Sequence, residues 1–367
     1  MRWVGLWQLG APLHHGAPVG GAWLARERAR RGLSRNHAFL RQEPVGYYDP
    51  VEQRMVMRPC YCLAGNAVRG MLRSVAARYT LQALGLPREP GGLKEELGWR
   101  SDDEVFLLFK GGPMKAASGV EDVRQRRELR SYLPLVEVFG GWYRGEGFEG
   151  ALWVGNAWPA VRELAFSQPW CEGLLGARGL TWDMLPRLEE LRVAVEADPA
   201  CFARHMTEEL VGLQWDDKED KARDESGGEE TEEGEAEGPG QAGQEGEEEK
   251  EQKLRGVFSM DALPAGLLLF HELGLKPWAS ERAEWCLGAA LHLWQDEYGG
   301  IAGGGAGRGL GGRVVAEYQD ADGRAVDLKG AFDRYAGWLA EHRQEILAYL
   351  RAMPERFAAP DKKRRRR

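Results

Sequence analysis

Residues 216–251 hold seventeen Asp and Glu against four Lys and Arg, interleaved with glycine and nearly free of apolar side chains. Such a run cannot bury enough apolar surface to offset the entropy of ordering, so it is predicted to be disordered. Any folded body must therefore form from the two flanking pieces, which divides the chain into a folded part at 1–215 and 253–360, an acidic insert at 216–252 and a basic tail at 361–367. The insert reads most simply as a solvated spacer. A second reading is an electrostatic mimic that keeps stray nucleic acid off a basic groove.

That segment also masks the charge of the rest. The net charge of −8 includes −13 from residues 216–251, which leaves +5 elsewhere. Residues 1–80 carry twelve Arg, no Lys and four acids, and Lys362–Arg367 adds six positive charges. An arginine-rich amino-terminal part is the footprint expected for phosphate backbones, although arginine also serves ion pairing. No apolar run approaches the roughly 18 residues of a membrane span, and the amino terminus lacks the apolar core of a secretory signal, so a cytoplasmic protein without membrane partners is expected. The five cysteines are odd in number, and Cys60-x-Cys62 lacks a second ligand pair, so reduced thiols are expected and zinc is not.

Patterning points to an α+β architecture. Residues 2–10 alternate as a strand, and 24–58 are basic and broken by Gly46 and Pro50, which suggests a lobe or long loop. Asn66 is placed to cap a helix whose buried stripe is Val68, Met71, Leu72, Val75 and Tyr79, with Arg69 and Arg73 four apart on another side. "EVFLLFKGG", "LPLVEVFGG" and "FEGALWVGNAWPAV" read as strands, and 183–213 as largely helical. A strand within "FSMDALPAGLLLFHELGL", a helix at 280–294, a strand at Arg313–Tyr318 and an amphipathic helix at 330–353 complete the pattern.

Between the last two strands lies a glycine loop, nine glycines in the fourteen residues from Gly299 to Gly312, with Arg308 the one charge. Its letters include G-x-G-x-x-G, but a strand rather than a helix follows, which argues against a dinucleotide site, and with no Lys-Ser/Thr after it a P-loop is excluded. A connector is the plain alternative. A loop stripped of side chains would also let a ligand's backbone come close, with Arg308 and Arg313 as phosphate partners.

"RPCYCLAGNAVRGMLRSVAARYTL" (58–81), with its proline, short strand, Gly65 and a helix bearing Arg69-Gly70-x-x-Arg73, resembles the signature of the RAMP superfamily of CRISPR proteins. "PLHHG" at 12–16 is similar to that family's segment after the first strand, "LPLVEVFGG" to a Leu-x-x-Phe-Gly element, and the glycine loop to a carboxy-terminal one. The best match is the repeating backbone subunit of class 1 effector complexes, and within it the type IV form. The resemblance implies an RRM-like (ferredoxin-like) palm with a helical finger insertion and a β-hairpin thumb. It implies a non-catalytic subunit, without cofactor, that polymerises along a crRNA guide as a helical filament. Its implied partners are that guide, target nucleic acid (expected to be DNA) and other effector subunits.

A protein that takes any guide should hold phosphate and ribose rather than base edges. On the resemblance, the RNA-binding residues are Asn66, Gly65, Gly70, Arg69, Arg73, His15, Gly303, Gly304, Gly305, Gly307, Arg308, Gly309 and Arg313. Arg69 and Arg73 would serve equally as exposed helix charges or ion-pair partners. The rival reading is a type III-like subunit that cleaves target RNA with a loop carboxylate, Asp49 or Glu43. His14 and His15 as acid–base groups have no matching Lys/Tyr set, and most tryptophans read as core.

Overall fold

The computed structural model describes residues 1–15, 26, 29–30, 39–49, 53–87, 90–109, 111, 123–144, 146–165, 168, 170–191, 193–197, 258–297, 299–302 and 312–357. The acidic insert, the basic tail and Gly303 to Gly311 lie outside these residues. In chain order the elements used below are β1 (Arg2–Leu9), β2 (Gln42–Asp49), β3 (Arg54–Tyr61), α1 (Gly65–Leu84), α2 (Asp102–Phe109), α3 (Val123–Tyr132) and α4 (Pro134–Phe139). There follow β4 (Leu152–Val154), β5 (Trp158–Pro159), β6 (Val193–Ala197), β7 (Phe258–Ala262), β8 (Leu268–Leu275), α5 (Glu281–Asp296), β9 (Ile301–Ala302), β10 (Gly312–Gln319) and α6 (Leu328–Arg356).

An antiparallel sheet of six strands forms the centre, in the order β9-β10-β1-β8-β4, with β5 also pairing to β8. Followed along the chain, β1-α1-β4/β5-β8-α5-β10 is a β-α-β-β-α-β unit whose strands lie in the order fourth, first, third, second. That arrangement is consistent with a ferredoxin-like core. The period of two in β1 sorts its residues to two sides. Trp3, Trp7 and Leu9 join a large core with α1, α5 and α6, whereas Leu6 joins Phe270, Leu174, Leu175 and Leu185 on the other face. The ring centroids of Trp7 and Trp294 lie 5.2 Å apart. A Cβ on Gly288 would sit 2.5 Å from the Ala331 methyl, so glycine sets how closely α5 and α6 approach.

Three polar side chains in this core are linked to one another. The Trp7 indole N–H donates to the Tyr318 hydroxyl at 3.1 Å, and that hydroxyl lies 2.8 Å from Nδ1 of the fully buried His271. Gly5, directly opposite Tyr318 in the β1–β10 pair, leaves room for the phenol ring. The second sheet face is covered too: Trp170 and Trp182 lie over Phe270, with centroids at 5.9 and 5.5 Å. In an RRM that face presents aromatic rings to RNA; here Ala160, Cys171, Leu174, Leu175 and Leu185, with Trp170 and Trp182, supply its apolar cover.

Several expected elements differ. Where a lobe or long loop was expected over 24–58, Gln42–Asp49 and Arg54–Tyr61 form a regular two-stranded antiparallel pair of eight residue pairs, Gln42↔Tyr61 through Asp49↔Arg54. "EVFLLF" is helical in α2 and "LPLVEVF" is α4, because short apolar runs fit a buried helix as well as a strand. Pro134 at the first turn and Gly140 at φ 76° after the last mark α4 as helical. Of the stretch 183–213 expected to be helical, the described part makes short 3₁₀ turns at Trp182–Met184 and Leu188–Glu190 and the strand β6 at Val193–Ala197, and 198–213 lie outside the described residues. The first strand and the helices near 281 and 330 stand where periodicity put them, and of the apolar stripe expected on the last helix Tyr335, Leu339, Ile346, Leu350 and Met353 are buried and Phe332 is half-buried.

Candidate nucleic-acid interface

α1 begins where β3 ends, and its start is fixed by close backbone approach. The Gly65 N–H donates to the Asn156 side-chain oxygen at 2.9 Å, and a Cβ on Gly65 would lie 2.5 Å from the Val154 carbonyl oxygen. Ala64 occupies the cap position, so Asn66 is an exposed residue in the first turn and not the cap expected from sequence. Asn156, far away in sequence, performs that task.

Arg69 and Arg73 do share a side of α1, and both reach other helices. Half-buried Arg69 donates from Nη2 to the Phe139 carbonyl at 3.0 Å, at the last residue of α4. Buried Arg73 donates from Nε to the Phe109 carbonyl at 2.9 Å and from Nη2 to those of Leu108 at 2.9 Å and Leu107 at 3.4 Å. These are the orphan carbonyls and the negative dipole end of α2, which a guanidinium satisfies well. Gly111 at φ 78° makes the room, since a Cβ there would meet Arg73 Nη1 at 2.3 Å. Burial first, then the charge of Arg69, pushes the Arg73 pKa down to about 10, which leaves it charged at neutral pH. The arginine pair read as backbone contacts thus ties two helix ends to α1. Gly70 between them is exposed, and a Cβ added there would meet nothing within 4 Å.

The remaining expected site residues are scattered. His14 and His15 are not surface residues: His14 is buried with Nδ1 2.7 Å from the Asp261 carbonyl, and His15 is half-buried with an enclosed, unpartnered Nε2. Burial, then Arg41 and His14, lowers the His15 pKa to about 4, so its ring is neutral and offers a phosphate no charge. Arg313 is on β10 opposite Ile301. Gly303, Gly304, Gly305, Gly307, Arg308 and Gly309 lie outside the described residues. Asp49 pairs through its backbone with Arg54 at the end of the β2–β3 hairpin. Cys60 and Cys62 are buried free thiols, and burial pushes the Cys62 pKa up to about 12.

A basic groove of about 560 Å³ opens between α3 and the turn that leads into α5. On α3, Arg126, Arg127 and Arg130 line it from neighbouring helical positions. Arg130 donates to the Glu149 carbonyl at 2.8 Å and lies 4.5 Å over the ring of Trp278, a tryptophan with 44% of its surface exposed. Arg282 enters from the start of α5, donates to the Ser131 carbonyl at 3.3 Å and stacks 5.1 Å over Trp338. Against four guanidinium groups stand two carboxylates, both engaged. Glu137 accepts from the Ser280 N–H at 2.8 Å and hydroxyl at 2.6 Å. Glu149 is bonded to Lys276, which holds its pKa below the usual range. Glu149 also lies within electrostatic reach of Arg69, so the groove adjoins the α1 face.

Sequence reasoning missed this groove. Its signal was "RQRRELR" at 124–130, four arginines in seven residues, which becomes one basic helix face only once 123–132 is known to be helical. Trp278, Ser280 and Arg282 join it through tertiary folding alone.

No family model and no curated protein matches the chain. Among solved structures, a chain of a "Type IV-B CRISPR Complex" is similar over 88% of this chain and 91% of its own length, with 18% sequence identity and a TM-score of 0.43.

Proposed function

We propose that this chain is a non-catalytic, guide-RNA-binding backbone subunit of a class 1 CRISPR ribonucleoprotein of type IV character. The observation that carries the reading is the arginine-lined groove beside the α1 motif face, with its acids engaged by Ser280 and Lys276. Such a surface suits a phosphate backbone of any sequence, and Watson–Crick pairing of the guide then supplies specificity. With the second sheet face covered by apolar residues, RNA is held at the groove rather than on a sheet platform. The β2–β3 hairpin, with Met55 and Met57 49% and 66% exposed, serves as the thumb, and α2 to α4 serve as the finger lobe. Copies assemble in the cytoplasm as a helical filament along one crRNA, with other effector subunits, and present it to target DNA without a cofactor.

The test is to express the chain with a guide array, isolate the complex by size and extract RNA after nuclease trimming. Protected RNA in evenly stepped lengths, within a high-mass particle, is the expected result. A monomer free of RNA overturns the proposal. Cutting of complementary RNA that is lost in Asp49→Ala would replace it with the endonuclease reading.

A further inference from the structure

The groove is more than a charged patch. Phosphate binding alone needs cations at a surface, yet here an indole stands at the rim with 44% of its surface in water. The Trp278 ring is held rather than loose, since the Arg130 guanidinium lies 4.5 Å over it. Arg130 is itself fixed by its bond to the Glu149 carbonyl, and its enclosed Nε has no hydrogen-bond partner. Around this exposed ring lie Arg127 and Arg282, in a cleft of a size that takes a small ligand rather than a helix of paired strands. An arginine-backed aromatic ring beside further guanidinium groups is the chemistry that holds an unpaired base on a ring and its phosphates on cations.

We infer that the groove receives one unstacked nucleotide of single-stranded nucleic acid, with its base against Trp278 and its flanking phosphates on Arg127 and Arg282. This rests on the guide-binding reading and deepens it: the site takes unpaired rather than duplex nucleic acid, and it reads a base's face without reading its identity. Ring stacking is tolerant of sequence because every base has a π-face. A duplex, whose bases are already stacked, has none to give.

Fluorescein-labelled oligouridylate, the same ribose-phosphate chain lacking bases, and an RNA duplex of equal length are titrated against the full chain over a salt series. The wild type is expected to bind the intact strand about 5- to 100-fold more tightly than the abasic strand, and the duplex more weakly than the intact strand. Trp278→Ala should lose that factor for the intact strand, leave the abasic strand unchanged and keep the salt slope, while Trp278→Phe retains most of the affinity. Arg127→Ala should weaken both single strands alike and lower the slope by about 0.7. Equal wild-type affinity for intact and abasic strands, or a preference for duplex, overturns the nucleotide site while leaving RNA binding standing. Failure to bind any probe overturns the guide-binding reading as well.

Discussion

Replacing Arg73 separates a phosphate contact from a structural one. Arg73→Ala removes two bonds of 2.9 Å to the carbonyls of Phe109 and Leu108 and a longer one to Leu107. A hydrogen bond to a charged group contributes about 1.5–3 kcal/mol, and the carbonyls left behind are orphans at a helix end. Two such bonds, with water reaching part of the vacated space, give an expected loss of roughly 3 kcal/mol. In urea, at a slope of about 3 kcal/mol/M, the midpoint falls by about 1 M. Arg73→Lys keeps the charge but not the planar fork, and should recover about half of the loss. Gly111→Ala pushes a methyl into the guanidinium, which it would meet at 2.3 Å, and strains a φ of 78°. Its clash vanishes when Arg73 is already alanine, so the two substitutions should be markedly less than additive. The reasoning is refuted if Arg73→Ala stays within about 0.5 kcal/mol of the wild type while RNA affinity and salt slope fall as for a lost phosphate contact.

Two further outcomes follow from the same structure. Gly70→Ala adds a methyl in open space at an exposed position of α1, so it should stabilise by about 0.5–1 kcal/mol in denaturant unfolding, with Gly337→Ala on α6 as a calibrating control. If the bare backbone at Gly70 is there for close approach by RNA or a second copy, guide binding falls as stability rises; unchanged binding refutes that role. His15 and His271 have pKa values lowered to about 4 and about 3, burial being the main cause, so both fold as neutral rings. The unfolded chain takes up protons first as pH falls below about 6.5, and the native state then loses up to about 1.4 kcal/mol per pH unit per histidine until each folded pKa is passed. Stability measured from pH 7 to pH 4 should decline along that limb, and His271→Gln should flatten it; a limb unaltered by that substitution would contradict the buried-histidine account.

The sequence carried the parts of the fold that periodicity encodes. β1, α1, α5, β10 and α6 were legible because their apolar positions repeat at intervals of two or at three and four. α2 and α4 were not, since a short, mostly apolar stretch such as VFLLF or PLVEVF satisfies either pattern until a neighbour decides. The motif arginines were found but their targets were not. A guanidinium on a helix looks the same in sequence whether it faces a phosphate or a carbonyl, and only α2 and α4 arriving beside α1 decides it. The groove failed to register for the opposite reason, because Trp278 and Arg282 are about 150 residues from Arg130. The cap on Gly65 was misassigned to its neighbour Asn66 for want of Asn156.

The arginine caps have a consequence for genetics. Arg69 holds the last carbonyl of α4, and α4 continues directly from α3, the helix that carries Arg126, Arg127 and Arg130. Under the proposed function, a screen that scores RNA binding would therefore return Arg69 and Arg73 beside Arg127 with the same phenotype, and a pedigree of such alleles would look like one binding site. Suppressors would tell them apart. Compensating changes that restore Arg73 alleles should fall on Gly111 and the α2 terminus, and act whatever guide is supplied. Those that restore Arg127 alleles should arise elsewhere on the groove, as new positive charge.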